Sequence, residues 1–259
     1  MSTGAEMEKI IIKKDTISRL IKDVKEIITN PLTSHGIYYQ HHETDLLRGQ
    51  ALIIGPKDTP YENGYYLFQL TYPVNYPHSP PVVKFFTNDG LTRFNPNLYV
   101  CGKVCLSILN TWRGDQWSAC QSISSVLLAL CTVFNEAPLL NEPGITTAHP
   151  DFKNYNRVLH YRNIDFAIIQ MVKRIVLGSD PENNSFFKEF SDIIKTHFLA
   201  NYTRNNAILD QCAGKEECKN GTIRVDIYNI TRNYDYDILS FKLQDVYVNL
   251  QTLNNIHKN

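Results

Sequence analysis

The stretch from residue 36 to residue 86 limits the possible folds of this chain more than any other part of it. Runs at 36–40, 47–54, 65–72 and 81–86 are rich in tyrosine, leucine and isoleucine, and between them stand Gly55-Pro56, Asn63-Gly64 and the prolines Pro73, Pro77, Pro80 and Pro81. Glycine and asparagine tolerate turn conformations that other residues avoid, and proline fixes its own backbone angle. Turn chemistry at such short intervals predicts an antiparallel meander of four strands.

Helices are expected on both sides. From an N-cap at Asp15-Thr16, the residues Ile17, Leu20, Ile21, Val24 and Ile28 follow helical spacing. Arg19, Lys22, Lys25 and Glu26 fall elsewhere around the same helix, and Pro31 ends it. After the meander, Ser118 offers a cap for a buried helix carrying Ile123, Val126, Leu127, Leu130 and Phe134. A long helix then runs from about Asp151 to Gly178 through Phe152, Tyr155, Val158, Leu159, Ile169, Val172 and Val176. Beyond Asp180-Pro181 the spacing of Phe187, Phe190, Ile194 and Phe198 predicts another helix, followed by a polar loop with Cys212 and Cys218. A short β-prone run at 222–230 comes next, then a terminal helix with Ile238, Leu243, Val246, Leu250 and Leu253. The fold class is therefore α+β, with a flexible N-terminus (1–14), a core (15–178) and a mostly helical extension (179–259). The extension's apolar faces must be buried, so it is expected to pack on the core.

Acids and bases balance over the 259 residues to a formal net charge of zero. That leaves no electrostatic footprint for nucleic acid or an anionic membrane, and favours a protein or small-molecule partner. No segment approaches the roughly 18 consecutive apolar residues of a membrane span. The N-terminus lacks a secretory pattern, so an intracellular chain of cytoplasm or nucleus is expected. The six cysteines include no C-x-x-C pair, which argues against zinc, and no metal is expected. In such a setting the Asn-x-Ser/Thr sequons at Asn183, Asn201, Asn220 and Asn229 reflect asparagine-rich composition.

Chemistry concentrates between Arg93 and Leu109. Asn95-Pro96-Asn97 forms a turn eight residues before Cys105, with Gly102 between and an apolar stretch after. A thiol with a side-chain amide beside it and no histidine in the motif suits the handling of a thioester better than the cutting of an amide.

The order of these landmarks resembles the ubiquitin-conjugating enzyme family. Gly55-Pro56, Thr59-Pro60-Tyr61 and Asn63-Gly64 match its Gly-Pro…Thr-Pro-Tyr-x-x-Gly signature, and Tyr76-Pro77-His78-Ser79-Pro80-Pro81 matches Tyr-Pro-x-x-Pro-Pro. Asn95-Pro96-Asn97 stands at His-Pro-Asn, Val104-Cys105-Leu106 at the active cysteine, and Trp117-Ser118-Ala119 at Trp-Ser-Pro. Arg93-Phe94-Asn95, the lengthened loop with Trp112, the run from Gln121 to Leu127 and Asn141-Glu142-Pro143-Gly144 are similar to the large Z-type branch. That branch is in turn similar to the conjugating domain of the giant apoptosis inhibitor. Three positions depart from the general pattern. Asn95 replaces the family histidine, so an amide must hold the turn. Ala119 replaces a proline, leaving the lead-in to the next helix less rigid. Cys101 replaces a polar residue.

The resemblance implies roles. Cys105 would accept a modifier's C-terminal carboxyl group as a thioester from an activating enzyme. Asn97 would donate to the oxyanion formed when a lysine attacks; alternatively it only braces the turn. Glu142, beside Asn141, stands at a candidate acidic gate that orients the amine. His78, Ser79, Trp117 and Ala119 occupy ligase-contact positions, with His78 where a larger apolar residue is usual. Lys22 and Lys25 face the activating enzyme or simply solvent. The partners implied are ubiquitin or a ubiquitin-like modifier, an activating enzyme, a ligase and protein substrates, and no cofactor is needed because ATP is consumed upstream.

Two other readings share these residues. One is a silent module that binds ubiquitin or a ligase; the presence of Cys105 argues against it. The other is a thiol hydrolase using His35, His41, His42, His149 or His160. That mechanism needs an imidazole within hydrogen-bond reach of the thiol, and no hydrolase signature surrounds Cys105.

Overall fold

The computed structural model describes residues 11–179, 186–214 and 220–256. Most of the expected loose N-terminus, Asn183 and Cys218 lie outside them. Helix α1 (Lys14–Thr29) precedes a four-stranded antiparallel sheet, β1 (Ile37–His41), β2 (Arg48–Ile54), β3 (Tyr65–Thr71) and β4 (Val82–Phe85), paired in chain order. The predicted meander is thus borne out nearly to the residue.

Helix α1 is rotated from the expected stripe. Its buried residues are Thr16, Leu20, Asp23 and Ile27, whereas Ile21 is 56 % and Ile28 67 % exposed. Polar residues hold the inward face because each finds a partner there. Thr16 Oγ1 donates to the Val74 carbonyl at 2.9 Å, so Thr16 is a tertiary anchor and not a cap. The Asp23 carboxylate accepts from Arg19 Nε at 2.8 Å and from Tyr76 OH at 2.5 Å. A buried charge is tolerated only when paired in this way.

The register sets Ala51 opposite Phe68 and Phe68 opposite Phe85 on one face, and Leu52 opposite Leu67 on the other. The first face packs on Phe134 and Phe94. Helix α2 (Ile123–Thr132) stands behind it, with Ile123, Val126, Leu127 and Leu130 buried. Its cap is Ser122, in a reciprocal capping box with Ser125, instead of the expected Ser118. Helix α3 (Phe152–Arg162) passes into a fully helical π-type run, Asn163–Gln170, and then α4 (Met171–Ile175), giving the expected long element up to a left-handed Gly178.

The extension forms α5 (Ser191–Gly214), a hairpin of β5 (Asn220–Val225) and β6 (Ile230–Asp235), and α6 (Tyr236–Ile256). The β-prone run expected at 222–230 therefore contains the turn, with Asn229 left-handed at its end, and Cys212 lies in α5 instead of a loop. Ile238 faces outward, while Leu243, Val246 and Leu250 are buried. Phe187, Phe190, Ile194 and Phe198 are buried too, each contributing roughly 1.5–3 kcal/mol. Part of this burial is against the sheet's second face: Phe187 packs on Phe86 at 5.1 Å, and His197 stands edge-on to Tyr65 at 5.7 Å. Asn63 Nδ2 donates to Asn205 Oδ1 at 2.8 Å between two buried residues. A sheet covered on both sides explains why β2 and β3 are buried almost throughout and do not alternate.

Candidate active site

The loop joining β2 to β3 positions the site. Gly55 is obligatory there, since a Cβ on it would stand 1.7 Å from the Tyr61 carbonyl oxygen. The close loop aims Tyr61 inward, where its hydroxyl donates to the Phe94 carbonyl at 2.7 Å. Burial raises the Tyr61 pKa, so this phenol remains a donor.

Asn95, fully buried, is the hub of the turn. Its Nδ2 donates to the Val133 carbonyl at 2.8 Å and to Tyr61 OH at 3.1 Å, while its Oδ1 accepts from the Asn97 backbone N–H at 2.9 Å. Asn141 Nδ2 donates to the same Oδ1 at 3.3 Å, and Asn141 Oδ1 accepts from Asn135 at 3.0 Å. An amide does hold this turn, with one side chain serving as donor and acceptor.

Asn97 and Cys105 are joined twice. The Cys105 N–H donates to the Asn97 carbonyl at 2.9 Å, and Asn97 Nδ2 donates to the Cys105 carbonyl at 2.7 Å. The Asn97 amide thus braces the cysteine segment in this state. Cys105 is 3 % exposed. Its flanks are tied by Thr111, whose Oγ1 donates to the Val104 carbonyl at 3.1 Å and accepts from the Leu106 N–H at 3.0 Å. Thr111 carried no signal in the sequence beyond a place in a polar loop. Cys101 is exposed beside Gly102, where a Cβ would meet the Phe85 carbonyl oxygen at 2.9 Å. A cleft of about 390 Å³ lined by Thr111, Trp112, Arg113 and Pro143 separates the long loop from the segment after Glu142.

Glu142 is half-buried, and its Oε2 accepts from Tyr228 OH at 2.7 Å. Burial and the neighbouring carboxylate push the Tyr228 pKa up, so it stays the donor. The Tyr228 ring also stacks with the Arg93 guanidinium at 4.7 Å, and Arg93 lies over Tyr99 at 3.9 Å. Tyr228 belongs to the extension and was missed by sequence reading, since nothing in a β-prone run marks a contact 86 positions back.

The other candidate residues form a separate surface. His78 is exposed, Ser79 Oγ accepts from Asn75 Nδ2 at 2.8 Å, and Trp117 Nε1 donates to the Pro77 carbonyl at 2.7 Å. Trp117 is half-buried against Tyr76, at 5.8 Å, so it braces two loops more than it projects from them. Ala119 is exposed, yet the lead-in expected to be loose is held: Arg19 donates to the Ala119 carbonyl at 2.5 Å and to that of Gln121. Lys22 and Lys25 are exposed on α1, Lys22 about one turn beyond Arg19 and Lys25 about one turn beyond Lys22. Among the described residues no imidazole hydrogen-bonds Cys105, no cluster of three metal-ligand side chains occurs, and no helix is long and apolar enough to cross a membrane.

A helix, a four-stranded meander and a cysteine bound to an Asn-Pro-Asn turn define the conjugating-enzyme class of α+β fold. The family model described as ubiquitin-conjugating enzyme matches residues 19–168, and the chain belongs to that family. Within it, the chain is 44 % identical over 158 residues to the ubiquitin-conjugating enzyme E2 Z of Homo sapiens, covering 60 % of this chain and 44 % of that protein. The Danio rerio E2 Z is 42 % identical over 176 residues, 67 % of this chain and 52 % of that one. The dual E2 ubiquitin-conjugating enzyme/E3 ubiquitin-protein ligase BIRC6 of Homo sapiens is 32 % identical over 208 residues, 75 % of this chain and 4 % of that one. The resemblance to the Z-type branch and to the giant inhibitor is borne out. The chain spans about half the length of the E2 Z proteins it matches.

Proposed function

We propose that this chain is a ubiquitin-conjugating enzyme that accepts ubiquitin or a ubiquitin-like modifier on Cys105 and passes it to a lysine. The reading rests above all on the paired hydrogen bonds between Asn97 and Cys105, which fix an amide against the backbone of the nucleophile. In the first step Cys105 displaces the thiol of the activating enzyme, and the modifier's acyl carbon changes sulfur. Because the donor is already a thioester, no strongly activated cysteine is required. In the second step a neutral lysine amine attacks that carbon, the carbonyl oxygen takes the negative charge, and the intermediate collapses to an isopeptide with Cys105 thiolate as leaving group. An Asn97 N–H turned to the oxyanion stabilises it; one such donor typically supplies ~10²–10³ in rate. A free lysine of pKa ~10.4 is almost wholly protonated at neutral pH, so Glu142 as gate orients the ammonium and receives its proton.

In this scheme residues 15–178 are the catalytic core and 179–259 the extension. His78, Ser79, Trp117 and Ala119 meet a ligase, and Lys22 and Lys25 the activating enzyme, inside the cell. The small exposure of Cys105 favours a second reading, the silent binding module. One assay separates them: incubation with modifier, activating enzyme and ATP, then a non-reducing gel. Transfer predicts a thiol-sensitive adduct lost in Cys105→Ala, kept in Cys101→Ala and more persistent as an ester in Cys105→Ser. Absence of any adduct supports the silent module, and loss in Cys101→Ala alone would reassign the nucleophile.

A further inference from the structure

The extension places one side chain against both segments that frame the candidate site. Tyr228 sits at the end of the short helical turn Asp226–Tyr228 between β5 and β6. Its hydroxyl donates to Glu142 Oε2 at 2.7 Å, its ring carries the Arg93 guanidinium at 4.7 Å, and Tyr155 packs against it at 5.5 Å. Arg93 in turn donates to the Pro96 carbonyl at 2.5 Å, inside the Asn-Pro-Asn turn, and Tyr155 OH donates to the Arg93 carbonyl at 2.7 Å. The hairpin is itself tied down, since the Ile227 N–H donates to Asp151 Oδ2 at 2.9 Å and Asn154 Nδ2 to the Arg224 carbonyl at 3.2 Å.

We infer that Tyr228 is a positioning residue for lysine transfer: its hydroxyl sets the Glu142 carboxylate, and its ring presses Arg93 onto the turn that carries Asn97. The inference rests on the transfer reading above and extends it, because it makes the hairpin of the extension part of the reaction site. The two contacts are chemically separable. Tyr228→Phe keeps the ring on Arg93 and removes only the donor to Glu142, whereas Tyr228→Ala removes both. A half-buried hydrogen bond to a charged group is strong enough to matter here, while a ring over a guanidinium adds a second, weaker restraint.

The test uses the full chain with ubiquitin, its activating enzyme and free lysine as acceptor, together with amide hydrogen exchange. In Y228F, exchange accelerates across residues 139–145 and stays slow across 93–97, while Y228A accelerates both. Charging of Cys105 is unchanged in Y228F, but discharge to lysine falls about ten-fold through kcat, as expected for one lost charge-assisted bond. Glu142→Ala, which removes the gate itself, gives an equal or larger loss, and the double variant Y228F/E142A loses no more than E142A alone. Equal discharge in Y228F and the parent, additive losses in the double variant, or unchanged exchange in Y228A would each overturn the inference. If the parent chain itself never charges, the transfer reading fails first and takes the inference with it; exchange then reports only the contact. Should Y228A fail to fold, Y228F with its intact ring still decides the question.

Discussion

Replacing Asn95 by alanine measures how much of the Asn-Pro-Asn turn depends on a single amide. The side chain makes four hydrogen bonds at a position with no solvent exposure. Two of the groups left behind keep other partners, because Tyr61 OH still donates to Phe94 and the Val133 carbonyl still accepts from Asn141 at 3.4 Å. The Asn97 N–H does not, and a buried amide without an acceptor costs ~1–3 kcal/mol. Loss of the bond to Val133 adds ~1 kcal/mol net, so the total is about 3 kcal/mol. For a domain of 150–250 residues each kcal/mol lowers the melting temperature by ~2–4 °C, which makes the expected drop about 6–12 °C. Thermal unfolding followed by circular dichroism reads this directly. A drop under about 2 °C, less than 1 kcal/mol on the same scale, would refute the argument that Asn95 holds the turn.

Two further outcomes are expected. Asn97→Ala should slow discharge from Cys105 to free lysine by ~10²–10³ while charging changes far less; equal losses in both steps would leave Asn97 as a brace alone. Stability should fall with acidity, because burial holds the imidazoles of His41 and His197 below their ordinary pKa. As pH drops through about 6.5 the unfolded chain takes up protons that the folded one refuses, and the loss continues down to the folded values. A second loss follows at lower pH. Burial alone would raise the Asp89 carboxyl, but hydrogen bonds from Thr92 and Leu91 and the charge of Arg162 hold it below the usual range, so its contribution vanishes as it protonates. Melting temperatures measured from pH 8 to 3, flat across the imidazole range, would contradict the first part.

The strands were legible because their signals are local: glycine, asparagine and proline at fixed places decide where a short β-prone run must stop. Cys105 and its turn were legible for the same reason. Where the reading slipped, a distant partner decided. The inward face of α1 could not be read from apolar spacing, since Asp23 and Thr16 turn inward to meet Tyr76 and Val74, more than fifty positions away. Ser122 competes with Ser118 as a cap, and only the reciprocal bond with Ser125 separates them. The β-prone run read at 222–230 took in most of β5 and the turn but only the first residue of β6, because the turn, ending at Asn229, does not interrupt the β-prone composition. Tyr228 was invisible because its partners, Glu142 and Arg93, are brought to it only by the fold.

The second covered face of the sheet has a consequence for how the chain can change. On that face His197 of α5 covers Tyr65, and Phe187 just before α5 covers Phe86. A chain shortened after Gly178 would bare a broad greasy plank on the flank of its folding core. Such a surface draws copies of itself together, so truncation would be answered by clumping before any question of chemistry arose. The two parts thus pack as one object, and substitutions in the extension that loosen it would act on solubility even where they touch nothing near Cys105.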